Sequence, residues 1–381
     1  MFPLAPLTSL FSRKHEFEAD AFAVRYSSGS ALISALVKLF SDNAATLTPD
    51  PLYSAFYSSH PDAAIRIATI QKEMSKSEAM KEQVWFKARV ISSHGKHSFV
   101  EKEDGTVLEA TRKGKKVDLT VGDIVECLQT SPEQVSIQKI EPRRSLLYRS
   151  DELRTKPLAS NINQVAVVFA TRPSYNPYFI WKAMLAAETA DIHILMIRNK
   201  TDFIEDEPTV RPFINQLKEL GAEVVEVSAT MDPEGTVKTL EPLFRGKVTL
   251  LIGQSGMGKS TILNLLVKDA GQRTQEYSVA LNLGKQTTTA ARWFNYEGGA
   301  IVDSPGFQEF GLSHLTLNDI MRGMPEIRDR VEYCRFTNCR HLNEPGCAVK
   351  TAVDKGEIDP ERYAFYKELA EKAIAAEKNT F

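Results

Sequence analysis

The first eighty residues place apolar side chains at helical spacing. The segments HEFEADAFAVRY (15–26), SALISALVKLF (30–40) and PDAAIRIATIQKEM (61–74) each carry one apolar face, the pattern of an amphipathic helix that packs on a neighbour. The stretch between the second and third segments contains two prolines and is expected to be a loop. We therefore predict a helical fragment over residues 1–80.

The pattern changes after residue 84, where short runs alternate apolar and polar positions. The runs are VWFKARVISS, HSFVEKEDGTVLEATRK, KVDLTVGDIVECLQ and QVSIQKIEPR. The Asp-Gly pair at 104–105 is typical of a hairpin turn. Short alternating strands with turn signals between them indicate an all-β unit, so we predict a small barrel of the oligonucleotide-binding type over 84–145.

From residue 163 the chain carries nearly continuous apolar strands separated by helical segments. The strands are NQVAVVFAT (163–171), DIHILMIRN (191–199), AEVVEVSA (222–229), KVTLLIG (247–253) and GGAIVDSPG (298–306). Strands without a polar face indicate a parallel sheet covered by helices on both sides. We predict an α/β domain over 155–316 and a helical domain over 317–381, which makes the fold class multidomain α/β.

The composition agrees with a folded multidomain protein and excludes two other classes. The chain has 381 residues, enough for two or three domains of roughly 150 residues. Its hydrophobic fraction of 43% excludes global disorder, and its apolar runs are far shorter than the ~20 residues of a membrane span. The net charge of −2 means that any nucleic-acid contact has to come from local patches. The N-terminus lacks the features of a secretory signal, so we expect a cytoplasmic protein without membrane contact.

A glycine-rich loop follows the strand KVTLLIG and opens a helix. The segment GQSGMGKS (253–260) fits G-x-x-x-x-G-K-[ST], the phosphate loop of nucleotide hydrolases. Its backbone N–H groups and the helix dipole suit phosphate oxygens. Lys259 is expected to reach the β- and γ-phosphates and to act in catalysis, and Ser260 to bind Mg²⁺. The predicted GTP-binding residues in this loop are Gly253, Gln254, Ser255, Gly256, Met257, Gly258, Lys259, Ser260 and Thr261.

Two strand ends upstream of this loop carry groups that suit a guanine base. The Asp202 carboxylate, in Asn199-Lys200-Thr201-Asp202, can accept both N1–H and the 2-amino group of guanine, which adenine cannot match. Asn199 can bond the N7 edge of the purine, and the stem of Lys200 can cover the base. Ser228 and Ala229 would complete the pocket with a backbone N–H to the guanine oxygen. Together with the phosphate loop, this predicts GTP and GDP as ligands.

Groups suited to magnesium and to the γ-phosphate follow the phosphate loop. Asp303 ends the strand GGAIVD and is expected to hold Mg²⁺ through water, and the N–H of Gly306 to sense the γ-phosphate. The segment GKQTTTAAR (284–292) lies between these residues and the phosphate loop. Thr287 or Thr288 is expected to bind Mg²⁺ only when GTP is bound, which would make this segment the nucleotide-dependent switch. The base-binding elements precede the phosphate loop, the reverse of the usual order, so the domain is circularly permuted.

Three of the four cysteines lie close to a histidine near the C-terminus. The pattern Cys334-x4-Cys339-x-His341-x5-Cys347 offers three thiolates and one imidazole, which suit a closed tetrahedral zinc site. We predict one structural Zn²⁺ ion; the alternative is a set of buried thiols without metal. The fourth cysteine, Cys127, is expected in the barrel core.

The barrel sequence also carries a basic run with aromatic residues nearby. RKGKK (112–116) lies between two strands, and Phe86 and Phe99 offer faces for stacking. Basic loops on a small barrel favour contact with RNA. The alternative is a solvated charged hairpin.

Residues 84 to about 375 resemble the RsgA (YjeQ) family of bacterial GTPases. The resemblance is carried by RRSLLYRS (143–150), NINQVAVVFA (161–170), RNKTD (198–202), SATMDPEG (228–235), GQSGMGKST (253–261), QTTTAAR (286–292), DSPGFQEFGL (303–312) and the Cys/His set. It implies a barrel, a permuted GTPase domain and a zinc domain. It also implies GTP hydrolysis stimulated by the small ribosomal subunit in late assembly, with rRNA contact through the barrel and zinc domains. We expect a monomer. The alternative function is a GTP-switched rRNA-binding assembly factor without catalysis.

One position departs from the family pattern. The family's usual residue before the three threonines is a histidine thought to help position the attacking water, and here it is Gln286. Glutamine orients water in other GTPases, whereas Phe307 stands where many of them place a catalytic glutamine. We therefore expect Gln286 to act in catalysis together with Lys259.

Residues 1–80 resemble the C-terminal end of a CAAX-type zinc metalloprotease. The resemblance is carried by SRKHEFEADAFAV (12–24) and DNAATLTPDPLYSAFYSSHPDAAIRI (42–67). It implies Glu16 as a zinc ligand with Asp20 as its support. The H-E-x-x-H helix that would supply the other ligands is absent from the sequence, so we expect no protease activity.

Overall fold

The computed structural model describes residues 5–26, 28–42, 61–81, 84–94, 97–112, 118–150, 155–268, 270, 291–304 and 310–378. The chain divides into two units, Met1–Val84 and Trp85–Phe381. Across these ranges, no helix has both the length and the apolar character that a membrane crossing requires.

The N-terminal unit is helical, as its sequence pattern predicts. Its helices are α1 (Ala5–Tyr26), α2 (Gly29–Asp42) and α3 (Ala63–Lys81). They meet at a small apolar cluster built around Val24, Leu36 and Ile70. Arg66 of α3 donates to both carboxylate oxygens of Asp20 at 2.7 and 2.8 Å and to Glu16 at 2.7 Å. The two acidic residues of α1 are therefore held by one guanidinium.

The second unit begins with a closed five-stranded barrel, which confirms the predicted architecture. Its strands are β1 (Trp85–His94), β2 (His97–Glu101), β3 (Val107–Arg112), β4 (Ile124–Gln129) and β5 (Gln134–Ile140). β1 pairs with both β2 and β4, and β3 closes the circuit by pairing in parallel with β5. Side chains on the inner face, among them Val90, Val125 and Cys127, form the barrel core.

A hairpin that the sequence pattern did not reveal follows the barrel. It consists of β6 (Leu146–Ser150) and β7 (Thr155–Ser160). The buried carboxylate of Asp123 joins it to the barrel, because Ser160 donates to Asp123 at 2.6 Å and Arg143 donates to both its oxygens at 2.7 and 2.8 Å. The guanidinium of Arg143 therefore forms a structural ion pair with Asp123.

The α/β part contains a sheet whose central strand, β8, is buried at every position. The strands are β8 (Gln164–Phe169), β9 (His193–Arg198), β10 (Glu223–Glu226), β11 (Val248–Ile252), β12 (Arg292–Tyr296) and β13 (Gly299–Asp303). Their order is β10-β9-β8-β11-β13-β12, parallel from β10 to β13, with β12 antiparallel at the end. Helices α4 (Pro177–Thr189), α5 (Glu207–Glu219), α6 (Pro233–Phe244) and α7 (Lys259–Leu266) connect them. This order places the ends of β9, β10, β11 and β13 along one edge of the sheet, where ligands bind in such folds.

The barrel and the α/β sheet are continuous through β12. The other edge of β12 pairs with β1 at Ser92 and Arg292. Side chains extend this junction: the Arg89 guanidinium lies 4.3 Å from the ring centre of Trp293, and Asn295 donates to both oxygens of Glu101 at 3.0 Å.

The C-terminal part is helical and packs on the α/β part. Its helices are α8 (Leu317–Arg322), α9 (Pro325–Arg328), α10 (Ala348–Asp354) and α11 (Pro360–Lys378). Phe365 of α11 packs against the rings of Tyr178 and Trp181 on α4, with ring centres 5.4 and 5.6 Å apart. The two parts therefore share one apolar core.

Candidate nucleotide and metal sites

The phosphate loop runs from β11 into α7 and packs tightly against Asn199 at the end of β9. Gly258, directly before α7, has φ +98°, and a Cβ there would lie 2.1 Å from the Asn199 amide nitrogen. Only glycine fits such a backbone without strain. At the start of the loop, Gln254 accepts a hydrogen bond from the N–H of Asn176 at 2.9 Å.

Two oppositely charged residues at this loop, Lys259 and Asp303, interact electrostatically. The Lys259 ammonium donates to the carbonyl of Gly253 at 2.6 Å, and burial lowers the pKa of Lys259 while nearby Asp303 opposes that shift. Burial raises the pKa of Asp303 to about 6, against the opposing positive charges of Lys259 and Arg292. A cation bound near this buried carboxylate would stabilise its charged form and lower its pKa.

The predicted base-binding residues come together at the ends of β9 and β10. The Asn199 amide nitrogen donates to the carbonyl of Met257 at 2.9 Å, and its oxygen accepts from the N–H of Ala229 at 3.0 Å. Both ends of the Asn199 side chain thus join the base-binding loops to the phosphate loop. Ser228 donates to the Asp202 carboxylate, which orients that carboxylate.

Lys200 forms a second link between the same loops. It adopts φ +63°, and its ammonium donates to the carbonyls of Gly256 at 2.8 Å and Arg172 at 2.6 Å. The Lys200 side chain therefore reaches from the end of β9 to the phosphate loop. The sequence pattern assigned Asn199 and Lys200 to the base alone and did not reveal these contacts, because no local pattern signals a bond between residues 28 to 58 positions apart.

Several predicted residues lie outside the described ranges. They are Gln286, Thr287, Thr288, Gly306 and Phe307, together with Lys113, Lys115 and Lys116 of the basic run. Their roles stay predictions. β12 begins at Arg292, the last residue of the predicted switch segment, and Arg292 is the cross-strand neighbour of Asp303.

The four predicted zinc ligands converge between α9 and α10. One ligand atom from each of Cys334, Cys339, His341 and Cys347 lies within 4.8 Å of the others. The Nδ1 atom of His341 is 3.5 Å from the sulfur of Cys334 and 3.4 Å from that of Cys347. In a tetrahedral site with Zn–S of about 2.3 Å and Zn–N of about 2.05 Å, nitrogen and sulfur lie about 3.6 Å apart. The donor set and its spacing therefore fit Zn²⁺.

The surroundings hold this cluster in place. Tyr363 and Tyr366 of α11 donate to the carbonyls of His341 and Arg340 at 2.8 and 2.7 Å. Burial lowers the pKa of His341, which favours the neutral imidazole that binds metals. Burial also raises the pKa of Cys339 to about 12, which disfavours the thiolate. A bound cation would offset this effect by stabilising the thiolate.

Comparisons with known proteins match the two units of the chain separately. Residues 140–313 match the family model described as RsgA GTPase, and residues 1–74 match that of peptidase family M48. The small ribosomal subunit biogenesis GTPase RsgA of Burkholderia pseudomallei is 44% identical over 287 residues, covering 75% of this chain and 91% of the relative. The protein of the same description from Paraburkholderia phymatum is 45% identical, covering 74% and 90%.

Solved structures agree on the fold. YloQ, described as a circularly permuted GTPase, has a TM-score of 0.57 at 23% identity and covers 77% of this chain and 96% of its own. YjeQ from Thermotoga maritima has a TM-score of 0.56 at 26% identity, with 76% and 99% covered. The permuted order of nucleotide-binding elements expected from the sequence is confirmed.

Proposed function

The chain belongs to the RsgA family of GTPases, and from that membership we propose that it hydrolyses GTP in the biogenesis of the small ribosomal subunit. The observation that carries the proposal is the meeting of the phosphate loop with the strand ends that carry the proposed guanine-binding residues, joined by Asn199. Such a particle assembles in the cytoplasm, so we place the protein there.

The proposed nucleotide contacts follow from this geometry. The N–H groups from Gly253 to Thr261 would cradle the phosphates, and the Lys259 ammonium would exchange its bond to the Gly253 carbonyl for the β- and γ-phosphate oxygens. Asp202 would accept from the guanine base, with Ser228 holding it in place.

Magnesium bound with GTP would supply charge neutralisation between the β- and γ-phosphates. Ser260, one of Thr287 and Thr288, and Asp303 would hold it, and the Gly306 N–H would contact the γ-phosphate. Asp303 fits this role, because its buried carboxylate gains stability from a cation.

Gln286 is the proposed residue that positions the attacking water. Gln286→Ala is expected to lower subunit-stimulated turnover about 10²-fold, the low end for losing one positioned polar group. The affinity for GTP should change little, because the side chain acts mainly in the transition state. Single-turnover hydrolysis on purified small subunits measures the first quantity, and nucleotide titration the second.

The matched control for this test is Gln286→His, which restores the residue usual in the family. It should retain or raise turnover. Wild-type turnover by Gln286→Ala would mean that another group, in the switch or on the subunit, positions the water.

We further propose that one structural zinc ion occupies the Cys/His cluster, and that the barrel and the zinc-binding part contact rRNA, with the protein acting as a monomer.

A second candidate function is an assembly factor that uses GTP only as a switch. GTP turnover with and without small subunits decides between them: strong stimulation supports the enzyme, whereas GTP-dependent binding without stimulated turnover supports the switch.

The N-terminal unit is proposed to have no peptidase activity. The H-E-x-x-H pair is absent from the sequence, and Glu16, the remaining ligand implied by the resemblance, is bonded to Arg66 at 2.7 Å. A single carboxylate paired with a guanidinium does not form a zinc site.

Removing residues 1–80 is expected to leave GTP turnover and subunit binding within about twofold, since a domain with its own core can fold alone. Every nucleotide- and metal-binding motif lies after residue 84, and the second unit has its own core. Turnover of the shortened and full-length proteins on subunits provides the measurement. A large loss in a folded shortened protein would show that the N-terminal unit takes part.

A further inference from the structure

A buried arginine occupies the last position of β9. The strand reads HILMIR, its three preceding positions are buried and apolar, and the Arg198 side chain is 2% exposed. Arg198 directly precedes residues 199–202, which carry proposed guanine-binding groups. A buried charge is costly unless it is paired, so the partners of Arg198 indicate what it does at this position.

The first partner closes the base-binding loop at its stem. The Nη1 atom of Arg198 donates to the carboxylate of Glu207 at 2.5 Å, and Glu207 is the first residue of α5. The loop of residues 199–206, which includes Asp202, therefore lies between two residues that are joined by an ion pair. Joining the ends of a loop reduces the conformations open to the residues within it, so the pair restricts where Asp202 can lie.

The second partner fixes β10 against β9. Arg198 and Glu226 are cross-strand partners at the ends of the two strands, and the Nη1 atom of Arg198 donates to Glu226 at 2.6 Å. β10 has only four residues and pairs with β9 alone among the described strands, so few backbone bonds hold its end. Ser228, two residues after Glu226, donates to the Asp202 carboxylate. The spacing of the two strand ends therefore contributes to the orientation of that carboxylate.

Arg211 of α5 completes a cluster of alternating charges. It pairs with Glu207, and it donates to the two oxygens of Glu226 at 2.8 and 3.0 Å. Hydrogen bonds from Arg198 and Arg211 lower the pKa of Glu207. Burial opposes the same effect at Glu226, but the pKa of Glu226 is still lowered by its bonds to the two arginines. Both carboxylates are therefore ionised at neutral pH, and Arg211 remains as their partner when Arg198 is replaced.

Stability alone does not account for a charge at the end of β9. Replacing a buried ion pair by apolar residues of similar volume is often neutral or stabilising, and apolar residues already fill the neighbouring positions of the strand. A buried charge can instead specify one geometry, because it has to keep its partners. The partners of Arg198 lie on the two elements that bear on the Asp202 carboxylate.

We propose that Arg198 is a positioning residue for guanine, which holds Asp202 through Glu207 and Glu226 where its carboxylate accepts both N1–H and the 2-amino group. This inference rests on the proposed function, since it takes guanine to bind at these strand ends. The buried guanidinium does not touch the nucleotide and acts through the two loops that it joins.

The test compares GTP with inosine triphosphate, which lacks the 2-amino group and offers Asp202 only the N1–H. The wild type should bind GTP about 10- to 100-fold more tightly, the effect of one hydrogen bond to a charged group. Arg198→Met keeps the length of the side chain without its charge. It should weaken GTP binding about 10-fold and lower the preference for GTP at least about threefold, because inosine triphosphate depends less on the position of the carboxylate. Nucleotide titration measures both quantities.

Turnover on small subunits at saturating GTP should change less than about twofold in Arg198→Met, because Asp202 contacts the base in the ground state and the transition state alike. Arg198→Lys keeps the charge but lacks the fork that reaches two carboxylates. It should recover part of the preference that Arg198→Met loses.

Glu226→Gln keeps the shape of one partner and removes its charge, and should lower the preference about two- to threefold. The matched control is Glu223→Gln at the other end of β10, where Glu223 pairs with His193 at 3.2 Å. This variant also loses an ion pair of the same strand, and it should keep the wild-type preference.

Thermal unfolding of each variant separates positioning from stability. A merely structural role would weaken the binding of GTP and inosine triphosphate equally, so an unchanged preference in Arg198→Met and Glu226→Gln would overturn the proposal. An equal loss of preference in Glu223→Gln would also overturn it. If Arg198→Met does not fold, Glu226→Gln decides. A wild type that binds GTP and ATP equally would instead refute guanine binding itself, so the two failures are distinguishable.

Discussion

Cys339→Ser is expected to abolish stoichiometric zinc binding and to unfold the segment between α9 and α10. Apparent binding free energies of structural zinc sites are about 10–16 kcal/mol in small domains, as large as the whole stability of many proteins. The cluster is buried against the tyrosines of α11, which in turn packs on α4. Loss of the metal should therefore destabilise the contact between the C-terminal helices and the α/β part.

Metal analysis of protein purified without chelators should give one zinc per chain for the wild type and none for Cys339→Ser or His341→Ala. Thermal unfolding should shift down by roughly 10 °C or more, since each 1 kcal/mol moves Tm by about 2–4 °C in proteins of about 150–250 residues and the loss of the metal removes several kcal/mol. Cys127→Ala is the control, because this buried cysteine lies in the barrel core far from the cluster in sequence. It should keep the zinc. Wild-type protein without zinc would refute the site.

Asp202→Asn is expected to weaken GTP binding about 10³-fold, near 4 kcal/mol, because a carboxylate that accepts two N–H donors is replaced by an amide that must itself donate one. Ser228 donates to the same carboxylate, so the substitution also disturbs its orientation. Xanthosine triphosphate carries an oxygen where guanine carries the 2-amino group. The variant should therefore bind this nucleotide better than the wild type does.

Nucleotide titration with GTP, ATP and xanthosine triphosphate on both proteins provides the measurement. Glu205→Gln is a suitable control, because this exposed carboxylate lies three residues away and pairs only with Arg172 among the described ion pairs. It should leave the nucleotide preference unchanged. Equal affinity of the wild type for GTP and ATP would show that Asp202 does not select the base.

The sequence allowed the fold class and the meeting of the zinc ligands to be predicted, because both depend on local patterns. β8 is buried at every position, and such a continuous apolar run can be recognised from the sequence alone. The ligands of the metal cluster lie within fourteen residues, so their spacing alone indicates a site.

The missed features depend on contacts between distant segments. The polar and aromatic residues of β12 are explained by contacts with the barrel: Asn295 donates to Glu101, and Trp293 packs against Arg89. α6 contains Pro242 near its end, which hides a helix from propensity arguments. The buried ion pair of Arg362 and Glu326 joins residues thirty-six positions apart, and no local sequence pattern reports such a contact.

The continuity of the sheet through β12 also protects the molecule against aggregation. An open sheet ends in strands whose unpaired backbone groups can recruit another chain. Here one end is β10, a strand of only four residues, and short edge strands recruit poorly. The other end runs into a barrel, which has no edge. A protein from which the barrel is deleted would therefore expose the outer side of β12, and we expect it to associate with itself even where its nucleotide site is intact.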